Sequence, residues 1–246
     1  MWYNGKNSLR VSTMFDLKSI VIGVVLMLKK YTCVDITIYA ESNDEDYKNG
    51  IITLPIIGLA IGFVAFFIAS FKFIYDEFFI STLILGYYCI VTKTVNLTDT
   101  YRTLNYIIKP KNQSDQISGI IGIIIISLLY FSLIRIVTST ALIIMPVAGY
   151  SSLIILSTII KRNKEGTSIM KHCGKYHSMA AFAISFLLAA IFNYKLVIPL
   201  SLTYMISGMI VSYLDKKVKL MPSSIEGFFV EITQIIFLII TYLMKI

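Results

Sequence analysis

Charge is scarce in this chain: Asp, Glu, Lys and Arg make up 15% of its 246 residues, against roughly a quarter in ordinary globular domains. Apolar residues reach 57% and the mean hydropathy is +0.77. That excess of apolar surface must face something other than water, which excludes an ordinary soluble domain. A membrane crossing uses about 20 residues, so the length is consumed by crossings and leaves no room for a separate soluble catalytic domain. Cysteine is nearly absent as well. Cys33, Cys89 and Cys173 are odd in number and lack C-x-x-C spacing, so no disulfide framework follows and they read as packing residues or free thiols. The two histidines, His172 and His177, are five residues apart and do not share a helical face, which argues against a His-based metal site. H-E-x-x-H, Walker and G-x-S-x-G patterns are all missing.

What is present is a series of seven strong apolar runs, at 51–75, 78–91, 117–134, 141–160, 179–192, 196–214 and 225–244. An eighth, 20–28, is short and lies between Lys18 and Lys29; it is open to spanning, lying at the interface or re-entering. No small-residue cleavage site follows it, so it is read as retained. The expected fold is an all-α polytopic integral membrane helical bundle, with seven or eight transmembrane helices in a single membrane domain, 1–246. The polar connections 29–50, 93–116, 161–178 and 215–224 fall on one face if the seven runs each cross once, and they hold 15 of the 22 basic residues. By the positive-inside tendency that face is cytoplasmic, giving a multi-pass protein of the cell membrane in contact with the lipid bilayer. The net charge of +8 therefore belongs to loops beside lipid. No basic run interleaved with aromatics occurs in a polar domain, so nucleic acid is not an expected partner.

Gly58 and Gly62, and Gly119 and Gly122, are small residues at helical spacing, read as sites of close helix packing. Glu41, Asp44, Glu45 and Asp46 read as a solvated loop. Acids inside apolar runs carry more information, because a carboxylate at membrane depth needs a partner, a proton or a cavity. Glu226 and Glu231 open or enter the last run, and Glu231 within GFFVEITQIIFLII is the strongest candidate for a functional intramembrane acid.

Several blocks resemble the cobalamin synthase (adenosylcobinamide-GDP ribazoletransferase) family. Residues 47–62, YKNGIITLPIIGLAIG, place Pro55, Gly58 and Gly62 in register with the family's polar-Gly stretch leading to Pro-apolar-apolar-Gly. The acidic motif H-x-D-G-L-A-D-T-x-D-G corresponds to KTVNLTDTYRT at 93–103. Leu97, Asp99 and Thr100 match there, whereas Lys93, Val95 and Arg102 replace the His and two acids. DQISGIIG at 115–122 retains Asp115, Gly119 and Gly122 of the next block, and Glu165-Gly166 resembles a following loop. SIEGFFVE at 224–231 resembles D-T-x-G-A-x-x-E, with Gly227 and Glu231 in register and Ser224 at the Asp position.

The resemblance implies a transferase that joins adenosylcobinamide-GDP to α-ribazole, or its 5′-phosphate, with loss of GMP, late in cobalamin biosynthesis. A ribazole oxygen attacks the phosphorus on the cobinamide side of the diphosphate. Such transfer needs charge neutralisation and positioning more than covalent chemistry from the protein. The implied cofactor is Mg²⁺, and the implied catalytic and metal-binding acids are Asp99, Asp115 and Glu231. Lys93 and Arg102, which depart from the family motif, read two ways: as phosphate-binding residues, the Arg as a two-pronged fork and the Lys as a point charge, or as cations in former ligand positions that repel the metal. Other corrinoid-assembly enzymes are the implied macromolecular partners. A family member that scaffolds without turnover and a small-molecule transporter are the competing expectations.

Overall fold

A computed structural model describes residues 17–37, 39, 43–108, 117–160, 168–218 and 221–246, and among these residues all the regular secondary structure is helical. In chain order the helices are α1 (Leu17–Tyr31), α2 (Asp44–Ile51), α3 (Leu54–Ala69), α4 (Glu77–Val91), α5 (Val95–Ile107), α6 (Ile117–Ile136), α7 (Ser139–Ser157), α8 (Ser168–His172), α9 (Lys175–Asn193), α10 (Val197–Lys217) and α11 (Ile225–Leu243).

Helix α7 is the axis of the fold: all but three of its 19 residues are buried. It is apolar all round, as a helix surrounded by others must be. Helix α3 lies against it through the two glycines singled out above. A methyl group on Gly58 would fall 2.7 Å from the carbonyl oxygen of Pro146, and one on Gly62 would collide with the backbone of Ile143. Any side chain at these positions would force the backbones apart. Helix α11 packs on α7, α5, α10 and α6.

Local chemistry sets the helix ends. Pro55 occupies the first turn of α3, where its missing N–H costs nothing. Asp76 caps α4, accepting from the N–H groups of Phe78 and Phe79 at 3.0 and 3.2 Å. Lys72 donates to the carbonyl oxygens of Ile134 and Arg135 at 2.6 and 3.2 Å, satisfying the end of α6. Of the acids expected in a solvated loop, Asp44, Glu45 and Asp46 form the first turn of α2, the first two exposed, and Glu41 lies outside the described residues. Asn43 caps that helix, and Asp46 is buried, its carboxylate accepting from the Asn43 N–H.

Among the described residues, five helical stretches are long and apolar enough to cross a membrane, or six if α4 and α5 count as one broken span. This supports a multi-pass membrane protein, with fewer qualifying stretches than the seven or eight helices expected. One reason is visible in the stretch Lys175–Lys217. Its 43 residues are not straight: Asn193 adopts an extended conformation (φ −163°, ψ 105°). The rings of Phe182 and Tyr204 then lie 6.0 Å apart. In a continuous helix they would be about 33 Å apart, so α9 and α10 fold back on each other.

The connection 93–116 contains more structure than its polarity suggests. After α4 the chain bends by 84° through Lys93 and Thr94, both in the left-handed region at φ 50° and 54°, and then forms α5.

Candidate functional site

Helix α5 is polar, yet one of its faces is buried. Asn96, Thr100 and Thr103, spaced as one helical stripe, are each 0–1% exposed. They face the start of α11, which meets them with small and polar groups. The Thr103 and Ser224 hydroxyls are 2.9 Å apart. Gly227 leaves room for Asp99, whose Cβ would lie 2.5 Å from a methyl group added to that glycine. The Gly227 N–H is directed at the Asp99 carboxylate.

Glu226 precedes this glycine and is 4% exposed. One carboxylate oxygen accepts from Lys30 Nζ at 2.7 Å and from the Tyr31 hydroxyl at 3.1 Å. The other accepts from the backbone N–H of Ile169 at the start of α8, at 3.0 Å. Glu226 thereby ties the end of α1, the start of α8 and the first turn of α11 together, where the helix dipole also favours an anion. Asp99, Glu226, Lys30 and Arg102 form one charged group. Helix α5 bends away from α4 by 84° and packs on α6 and α11. The charges of Glu226, Arg102 and Lys30 all act on the Asp99 carboxylate.

Glu231 lies deeper along α11 and is 0% exposed. One carboxylate oxygen accepts from the Tyr88 hydroxyl at 3.1 Å; the other has no hydrogen-bond partner. Around it, Tyr130 donates to Gln234 Oε1 at 2.8 Å and Asn96 donates to the Tyr150 hydroxyl at 3.4 Å. Asn96 Oδ1 and Gln234 Nε2 are left without partners, so the bundle interior holds a buried polar cluster next to the charged group.

The residues expected from sequence are therefore distributed as follows. Asp99 and Arg102 belong to the charged group. Lys93 is exposed at the sharp turn before α5. Glu231 belongs to the buried polar cluster. Asp115 falls outside the described residues. Among the described residues, no three of His, Cys, Asp and Glu are placed to hold a metal ion between them. A divalent cation at this end would rely on Asp99 together with ligands from a bound substrate. Sequence reasoning missed Lys30 as a site residue and noted Glu226 only as an acid opening the last run. The two are 196 residues apart, and a Lys at the end of an apolar run ordinarily reads as an interfacial anchor.

No family model matches this chain, and neither does any solved structure. An adenosylcobinamide-GDP ribazoletransferase of Alkaliphilus oremlandii is 22% identical to it over 237 residues, covering 91% of this chain and 98% of that protein. A protein of the same name from Acetivibrio thermocellus is 23% identical over 245 residues, covering 90% and 98%. Two likenesses that run nearly end to end, around an all-helical membrane fold, support this chain as a divergent member of the cobalamin synthase family.

Proposed function

We propose that this chain catalyses the reaction for which its relatives are named, joining adenosylcobinamide-GDP to α-ribazole or its 5′-phosphate with release of GMP. The observation that carries the reading is the charged group at one end of the bundle. There α1, α5 and α11 bring two carboxylates and two cationic side chains together beside a polar interior.

Seven crossings fit this architecture: α3, α4, α6, α7, α9, α10 and α11, with α9 and α10 counted separately because the chain folds back between them. Helix α4 has 15 residues and spans about 22 Å, which a bilayer accommodates by thinning locally. This arrangement puts the end of α1, the whole of α5, α8 and the start of α11 on one face. The bias of basic residues makes that face cytoplasmic in the cell membrane. Soluble substrates would then meet the charged group from the cytoplasm, where other corrinoid-assembly enzymes would deliver them.

In the reaction a bond forms from the ribazole oxygen to phosphorus as the bond from phosphorus to the GMP oxygen breaks, and the attacking hydroxyl loses its proton to a base. Mg²⁺ would supply neutralising charge to the phosphate oxygens. It is commonly held by one or two carboxylates with the remaining ligands from phosphate and water, and Asp99 fits that role. Asp115 and Glu231 are the other acids that the resemblance assigns to catalysis and metal binding. Arg102 and Lys93 contribute positive charge toward the diphosphate.

The test is release of GMP from adenosylcobinamide-GDP by the full chain in membranes, with α-ribazole and Mg²⁺ supplied. Release that requires both substrates and stops on chelation supports the reading. A folded chain that forms no GMP under these conditions contradicts it.

A further inference from the structure

We infer that Lys30 is a further substrate-binding residue, contacting the diphosphate of the nucleotide-bearing substrate, and that Glu226 is the positioning residue that holds it there. This inference rests on the reading that a phosphate-bearing substrate binds at the charged group.

Three observations carry it. Lys29 and Lys30 both end α1 but are used differently. Lys29 turns to solvent and pairs with Asp35 at 3.1 Å, both side chains more than half exposed. Lys30 turns inward, with its ammonium 2.7 Å from Glu226 and 3.3 Å from the Tyr47 hydroxyl, and 5.0 Å from the centre of the Tyr31 ring. Its side chain nevertheless keeps 30% exposure while that of Glu226 keeps 5%, so the cation of this pair is the member that a ligand can reach. Finally, Glu226 is followed directly by Gly227, against which Asp99 packs, and Arg102 follows Asp99 by one helical turn, so Lys30, Asp99 and Arg102 gather at the first turn of α11. A diphosphate bound beside Asp99 would therefore enter the field of two cations from different helices.

The arrangement of Glu226 explains why Lys30 is fixed rather than free to sweep through solvent. A long Lys side chain loses substantial rotamer entropy when it binds an anion. Glu226 is held by Tyr31 and the Ile169 N–H, so it restrains the ammonium before substrate arrives. Affinity gained this way is preorganisation. An ion pair that served stability alone would be replaceable by two neutral groups.

That contrast sets the experiment. GDP binding is titrated to the full chain in nanodiscs for wild type, Lys30→Gln, Lys30→Arg, Glu226→Gln and the double variant Lys30→Gln/Glu226→Gln, with thermal unfolding recorded for each. Loss of one charge-assisted contact predicts GDP binding roughly tenfold or more weaker in Lys30→Gln, with substantial recovery in Lys30→Arg. Glu226→Gln should weaken binding by a smaller factor. The double variant leaves no buried charge unpaired, so it should melt close to wild type and still bind GDP as poorly as Lys30→Gln. Wild-type affinity in the double variant overturns the inference, because it makes the pair merely structural; failure of the wild-type chain to bind GDP overturns it too. Lys30-dependent GDP binding without any GMP release from the full substrate set leaves this inference standing and removes the proposed reaction instead.

Discussion

Replacing Gly227 by Ala isolates the contact between α5 and α11 on which the candidate site is built. The added methyl group would lie 2.5 Å from Asp99 Cβ, 2.8 Å from Asn96 Cα and 2.9 Å from the Asn96 carbonyl oxygen. Two of these atoms are backbone, so no rotamer change relieves the crowding. Comfortable carbon–carbon contact begins at about 3.5 Å, and α5 must therefore retreat by roughly 1 Å. Overpacking of this kind costs about 1–3 kcal/mol. The better helix propensity of Ala returns up to about 1 kcal/mol. The net loss of stability is thus about 0–2 kcal/mol, a fall in melting temperature of up to about 8 °C. The effect on turnover should be larger, since a displacement of ~1 Å at reacting groups costs about 100-fold. Gly86→Ala in α4 is the control. Nothing lies within 4 Å of its added methyl group, so it takes only the gain in propensity and should match or exceed wild-type stability with unchanged turnover. Thermal unfolding and GMP release measured side by side decide the matter. A Gly227→Ala chain that turns over like wild type would refute the placement of Asp99 on this glycine.

Two further predictions concern other parts of the fold. Lys72→Met strips the end of α6 of its donor to Ile134 and Arg135. It should lower stability by about 1–3 kcal/mol in thermal unfolding while kcat/KM stays at the wild-type value, because the contact is remote from the charged group. Tyr88→Phe removes the donor to Glu231 in the interior and should cost about 1–3 kcal/mol. Glu231→Gln keeps an acceptor for Tyr88 and should melt near wild type, so equal losses in the two variants would contradict the hydrogen bond.

Much of the fold was legible because lipid exposure writes long apolar runs: the run 78–91 became α4 and 225–244 became α11 almost residue for residue. The spacing of Gly58 and Gly62 announced the close approach of α3 to α7, where backbone meets backbone. Helix α5 was hidden because its buried stripe is Asn96, Thr100 and Thr103, which polarity alone assigns to a solvated connection. Its burial depends on Gly227 and Ser224, over a hundred residues away. Asp99 was visible only through its motif, and Glu231 through its isolation among apolar residues. Nothing local marks Lys30 as different from Lys29. Only the packing of α1 beside α11 separates an inward-facing cation from an outward one.

The central claim is that Asp99 serves phosphoryl transfer at the end of α5. Asp99→Asn keeps the shape of the side chain and an oxygen to accept from the Gly227 N–H, so the fold should be retained while the charge is lost. The measurement is GMP release from adenosylcobinamide-GDP and α-ribazole in membranes, wild type against this variant, at saturating Mg²⁺. The account predicts a fall of roughly 100-fold or more with an unchanged melting temperature. Turnover of the Asn variant at the wild-type rate would contradict it.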